Sequence, residues 1–356
     1  LRTFFLLLVF SSLAAACGSP SPHAAVLPTR EAYRLQPGEL VLAAPEDAIP
    51  AIFAEEDMFV DTRQGSREWE DDEPVIGVVV EGKSRAYPVR VLSLHEVVND
   101  QVGGKDIAVT WCPLCYTAIV YDRETADRTL TFGVSGYLLK DNLVLYDHQS
   151  RTLWSQLLGQ GIKGARSGER LQVLPSTITT WQVWKEAYPG TTVLSARALG
   201  RDPASVRDPY VGYYSSGAAG LSGPGSTDER LPGKTLVIGA ALGDRSRAYP
   251  LSLIREARVI NDQLAGVPLV LIWDQERDSV HVWRRGLPRR TLDFSPGDRP
   301  GLIVDRQSGS RWNIREGLAV SGRLEGRRLD RVEAPLVFWF AWSAHYPASD
   351  IYPGGE

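Results

Sequence analysis

Two of the chain's three cysteines stand two residues apart in Trp111-Cys112-Pro113-Leu114-Cys115. Thiols at that spacing serve three purposes: as thiolates they hold a soft metal ion, as a dithiol they exchange with disulfides, and as an inert pair they close a turn. No second Cys-x-x-Cys completes a four-thiolate zinc site. A metal here would draw further ligands from histidine, carboxylate, water or substrate, and an open position is what catalytic and transfer sites keep. Of the five histidines, His95 is the candidate ligand; His148 and the carboxylate of Asp141 are the next sources. His23, His281 and His345 read as surface or partly buried residues.

An internal repeat separates these residues from their scaffold. Arg85-Ala86-Tyr87-Pro88 matches Arg247-Ala248-Tyr249-Pro250 and Asn99-Asp100-Gln101 matches Asn261-Asp262-Gln263, both at an offset of 162, with Trp111 on Trp273. Further along, Asp147 pairs with Asp305, Trp154 with Trp312, and Trp181, Trp184 and Tyr188 with Trp339, Trp342 and Tyr346 at an offset of 158. Residues present in both copies are explained by the fold they share. His95 falls on Ala257, Cys112 on Asp274 and Cys115 on Arg277, so the three residues able to bind a soft metal belong to the first copy alone. Ser135, Tyr137 and Asp141 lie where the first copy is longer and are expected to form a wall of the same site.

A hairpin about Gly103-Gly104 would position these groups. With a two-residue turn, opposed residues sum to 207, so Val102 faces Lys105, Val98 faces Val109 and His95 faces Cys112. Directly opposed side chains stand about 5 Å apart at Cβ, close enough to share one ion. Another loop length would turn His95 to the other face, and a helical turn begun by Ser93 would take it out of the strand. Copper competes well with zinc for two sulfurs and a nitrogen. In the rival chemistry Cys112 attacks a disulfide, Cys115 resolves the intermediate and His95 acts as base. Thioredoxin also carries Trp-Cys-x-x-Cys after a strand, but with a long helix following. Here residues 116–122 are β-like, so Cys-Pro-Leu-Cys reads as a metal knuckle at a hairpin tip, its amides turned toward the sulfurs.

The supporting elements read as mainly β: a β-rich α+β chain of two tandem, sequence-related meander or barrel-like units, 73–195 and 234–352, each ending in a short helix. Residues 75–80 and 235–238 are strand-like runs closed by glycine signals. Trp181, Trp184 and Tyr188 recur at i, i+3 and i+7; with Thr179 or Thr180 as cap and Pro189-Gly190 as stop, they predict the first unit's helix. Residues 36–72 read as a lead-in and 196–233, rich in Gly and Ser from Gly212 onward, as a linker or surface loop.

Upstream, an uncharged apolar run from Phe4 to Ala16 is too short for a bilayer and has the form of a secretory leader, residues 1–16. Leu13-Ala14-Ala15-Ala16-Cys17 resembles a bacterial lipobox, with Cys17 as the lipid attachment site and a tether running to residue 35; plain cleavage would leave Cys17 a free thiol. The expected localisation is extracytoplasmic, on a membrane lipid anchor, with a metal-receiving or redox protein of the cell envelope as partner. A formal charge of -4 without a basic stripe argues against nucleic acid. Glycines 212–233 lack the strand-then-helix context of a phosphate loop, so no nucleotide or flavin is expected. Met58 is the single methionine, which excludes a Met-rich copper carrier, and the absence of a Gly-x-Ser-x-Gly elbow disfavours a serine hydrolase.

The chain resembles domain-of-unknown-function family 3179 of bacteria and archaea. The resemblance rests on Arg85-Ala86-Tyr87-Pro88, His95-Glu96-Val97-Val98-Asn99-Asp100, the Trp111 to Cys115 pentapeptide, Phe132-Gly133-Val134-Ser135-Gly136, Asn142-Leu143-Val144-Leu145-Tyr146-Asp147 and Leu153-Trp154-Ser155-Gln156. Tyr116 departs from the glycine usual after the second cysteine, and His148 from a common arginine, which weakens His148 as a ligand. The resemblance implies secreted or lipid-anchored proteins with a Cys-Pro-x-Cys motif and brings no activity with it. The expected function is metal binding, copper or zinc through Cys112, Cys115 and His95, in delivery or electron transfer. The alternatives are a thiol-disulfide oxidoreductase and a surface interaction protein with a structural cysteine pair.

Overall fold

A computed structural model describes residues 32–221 and 228–353; the leader and Cys17 lie outside the described residues. The architecture is mainly β. In the first half the strands form three five-stranded sheets, one of which runs Val173–Leu174, Thr117–Asp122, Lys105–Cys112, Val97–Val102, Ile52–Phe53 and carries the cysteine motif. The second half repeats the central hairpins in smaller sheets, with Val259–Leu264, Val267–Asp274 and Ser279–Arg284 in the corresponding place. The strand orders are linear, so among the described residues no sheet closes into the barrel that the sequence left open as an option. No helix of the described residues is long and apolar enough to cross a membrane.

Residues written twice in the sequence turn out to be the brackets of this fold. Arg85 Nη1 donates to Asp100 Oδ1 at 3.0 Å and Tyr87 Oη to Oδ2 at 2.5 Å; Arg247 and Tyr249 grip Asp262 in the same way at 2.7 and 2.8 Å. Asn99 exchanges two 2.8 Å bonds with the backbone of Phe132, and Asn261 does so with Phe294. Trp154 Nε1 donates to Asp147 and Trp312 Nε1 to Asp305, each at 2.9 Å. These polar groups are buried or partly buried, so each must be paired inside the protein. The repeat therefore marks structural necessity.

The helix Trp181–Ala187 forms as its pattern predicts, capped by Thr180, whose hydroxyl accepts from the Val183 amide. Its buried Trp184 lies on Gly77, where an added Cβ would stand 2.3 Å from the indole; in the second half Trp342 covers Gly239 at 2.2 Å. Overpacking a filled site costs about 1–3 kcal/mol. Gly77→Ala is expected to destabilise by that amount in denaturant titrations, Gly239→Ala likewise, and Gly190→Ala, which meets nothing within 4 Å, far less.

Two further helices are Val89–His95, of which the sequence offered the last turn from Ser93 as the alternative for His95, and Leu251–Ala257, which was not predicted. Val89 and Val91 disguise the first as a strand, yet burial of Val89, Val91 and Leu92 overrides that propensity. Each helix ends on a left-handed residue, Glu96 at φ 57° and Arg258 at φ 61°.

Candidate functional site

The hairpin about Gly103-Gly104 has the register that sums to 207: Val102 pairs with Lys105, Val98 with Val109 and Val97 with Thr110. Both turn glycines take positive φ, 61° and 83°. The Trp111 amide then donates to Glu96 O at 2.8 Å, after which the partner strand gives way to helix. His95 is the last residue of that helix, so the cross-strand pair with Cys112 does not form. Its Nδ1 lies 2.7 Å from Pro50 O. Burial holds the imidazole below its ordinary pKa, against the opposing pull of that hydrogen bond. Among the described residues, no three His, Cys, Asp or Glu side chains are grouped to hold a metal ion.

The carboxyl electrostatically coupled to Cys112 belongs to the next residue. Glu96 turns the chain from helix into strand, and its side chain is buried. Burial, followed by the charge of Cys112, pushes its pKa up to about 8. A carboxylic acid and a thiol are thus coupled inside the protein, where two negative charges together are strongly disfavoured.

Cys112 ends its strand opposite Thr117, and the intervening turn closes with the Tyr116 amide donating to Pro113 O at 3.3 Å. Tyr116 sits at φ 52°, which explains why glycine suits this place. The rings of Trp111, Tyr214 and Phe338, with centroids 5.2 to 5.4 Å away, surround the tyrosine. Both cysteines are free thiols, 2% and 0% exposed.

Their environments differ. Burial raises the Cys112 thiol, but hydrogen bonds from the Cys115 thiol, the amides of Leu143 and Cys115 and the Asn142 side chain outweigh it and bring Cys112 below its ordinary value. Burial and the neighbouring Cys112 charge push Cys115 up. Asp141 O lies 3.2 Å from Cys115 Sγ and 4.0 Å from Cys112 Sγ, an alternative acceptor for the thiol proton. Asn142 is itself fixed, donating to Gln156 Oε1 at 2.8 Å and accepting from the Leu157 amide at 2.9 Å. The donors around the pair thus favour negative charge on Cys112 over Cys115.

Of the three residues expected as a wall, Asp141 touches the sulfurs, through its carbonyl. Ser135 Oγ donates to Val144 O at 2.5 Å, and Tyr137 packs with Leu139, Val144 and Ile162. His148 is exposed, with Thr131 and Tyr146 as neighbours. A stretch read as linker supplies the roof: from the helix Val211–Ser215, Tyr213 Oη donates to Leu114 O at 2.9 Å and accepts from the Gly220 amide at 2.9 Å. The Leu221 amide donates to Asp141 Oδ1 at 3.0 Å. In the second half the matching position holds Asp274, bound by Arg315 at 2.6 and 3.1 Å, an ion pair in place of thiols.

Sequence reasoning passed over Glu96, although it falls on Arg258 at the offset of 162 and the comparison that singled out the cysteines flags it too. Asn142 lies where the copies lose register, and Tyr213 has no counterpart.

No curated protein and no solved structure matches the chain. A family described as protein of unknown function, DUF3179, matches residues 46–349, which include the cysteine hairpin, its roof and most of the second half. The chain belongs to that family.

Proposed function

We propose that the protein carries out thiol-disulfide exchange through Cys112 and Cys115. The asymmetry of the pair supports this: one sulfur is stabilised as the nucleophilic thiolate by amide and thiol donors, while the other is held as the thiol that resolves. Cys112 attacks one sulfur of a partner disulfide, forming a mixed disulfide and expelling the other sulfur as a thiolate. Cys115 then loses its proton and attacks Cys112, releasing the partner's second thiolate. Two electrons pass to the partner, which ends as two thiols once protonated, and the protein ends with a Cys112–Cys115 disulfide. Negative charge on Cys112 disfavours charge on Glu96, so the carboxyl is held protonated while the thiolate is present.

Two adjoining sulfurs in a dry site also support copper(I) binding, now through two thiolates instead of the set with His95. Elemental analysis of reduced protein purified without added metal separates the two readings. Metal-free protein whose thiols alkylate supports exchange; one equivalent of copper that blocks alkylation supports binding. In either case the leader and Cys17 would place the dithiol outside the cytoplasm on a membrane anchor, where disulfide partners occur.

Because both sulfurs are buried, the roof must yield before a partner reaches them. Tyr213→Phe removes the hydroxyl that ties the roof to Leu114. It is expected to speed iodoacetamide labelling of native protein several-fold, Cys112 before Cys115, with only a small fall in the unfolding midpoint. An unchanged labelling rate would show that access runs by another route.

A further inference from the structure

A cavity of about 460 Å³ lies between the two halves, with Tyr116, the residue after Cys115, on its lining. Thr117–Asp122 and Ser176–Thr180 wall it from one half, Leu236–Leu242 and Ser279–Arg284 from the other. The volume is that of a small-molecule site. Most of the lining is apolar, including Ile119, Ile178, Ile238 and Val280, with Trp273 and Trp342.

Polar and charged groups break this apolar surface, among them Thr179, Ser279 and Arg331, with Arg255, Asp278 and Glu333 beside them. Thr179 Oγ1, Ser279 Oγ and Arg331 Nε are buried and have no hydrogen-bond partner in the protein. Native proteins rarely leave such atoms unpaired, so three in one cavity demand an account. All three can donate, and the guanidinium can only donate, so one acceptor, preferably an anion, would satisfy the three together. The acidic groups of the lining form ion pairs, Glu333 with Arg331 itself, but give none of these three atoms a hydrogen bond. Asp278 is committed to Arg255 by bonds of 3.0 and 2.9 Å, and Glu333 Oε1 stays 3.9 Å from Arg331 Nε. The apolar remainder requires a hydrocarbon body on the same molecule.

We infer that this cavity binds an amphiphilic carboxylate of the medium-chain fatty-acid type, its head on Thr179, Ser279 and Arg331 and its tail along the Ile119–Val280 wall. The site needs both halves, because Thr179 comes from one and Ser279 and Arg331 from the other. It stands independently of the thiol chemistry.

Calorimetric titration of the mature protein with decanoate below its micellar concentration tests this, with decanol as a tail-only probe and acetate as a head-only probe. Decanoate is expected to bind saturably, at least tenfold more tightly than either. Arg331→Gln should weaken decanoate at least fivefold and leave decanol unchanged; Ala241→Phe, which fills the cavity, should abolish both while circular dichroism stays native. Decanoate no tighter than decanol, indifference to Arg331→Gln, or no saturable binding in folded protein would each overturn the inference.

Discussion

Cys112→Ser is expected to abolish exchange with a peptide–glutathione mixed disulfide, whereas Cys115→Ser is expected to stall with the peptide or glutathione covalently held on Cys112. The difference follows from the local donors. The amides of Leu143 and Cys115 and the Asn142 side chain converge on Cys112 and stabilise its thiolate, and the thiolate is the nucleophile. Cys115, raised by burial and by its neighbour's charge, remains a thiol until Cys112 has been neutralised by the first bond. Without Cys115 the mixed disulfide has no resolving sulfur. Mass spectrometry under non-reducing conditions reads the adduct directly. Equal adducts in both variants would show that the two sulfurs are equivalent and the ordering wrong.

Glu96→Gln is expected to flatten the pH dependence of stability. A carboxyl whose folded pKa stands near 8, against an ordinary value near 4.5, binds its proton more tightly in the folded state. Its stabilising contribution is complete below the unfolded value and is lost as pH rises from about 4.5 through 8, at up to about 1.4 kcal/mol per pH unit. Cys112 acts with the opposite sign: its depressed pKa adds stability as pH rises through the folded value toward the ordinary thiol value. Comparing Cys112→Ser with the Cys112→Ser/Glu96→Gln double variant removes that overlay. The charge of Cys112 is then absent, but burial, the larger cause of the Glu96 shift, persists. The single variant should lose several kcal/mol between pH 5 and 8 and the double variant much less. Parallel curves would mean that Glu96 is solvated and ionised throughout.

The scaffold was largely legible because the chain writes it twice. Asp147 with Trp154 and Asp305 with Trp312 form the same bond, and Gly77 under Trp184 repeats as Gly239 under Trp342, so sequence identity between the copies tracked packing. The hairpin register was legible for a different reason: two adjacent glycines permit the left-handed pair that a two-residue turn needs. Alternation cannot announce where a strand starts, however, and there the reading of His95 parted from the structure. One left-handed residue, Glu96, ends the helix and begins the ladder, so the ring of His95 turns to Pro50 while Glu96 couples to Cys112. The roof was illegible because a segment rich in glycine and serine has no periodicity, and Tyr213 is placed by its tertiary bonds to Leu114 and Gly220.

Redox titration of the Cys112–Cys115 pair against a series of glutathione or dithiothreitol ratios, read by alkylation and mass, tests thiol-disulfide exchange most directly. A working dithiol should interconvert reversibly, with a potential between about -300 and -120 mV. A pair that never oxidises across the series, or one whose potential lies below about -300 mV as for an inert structural disulfide, would contradict it.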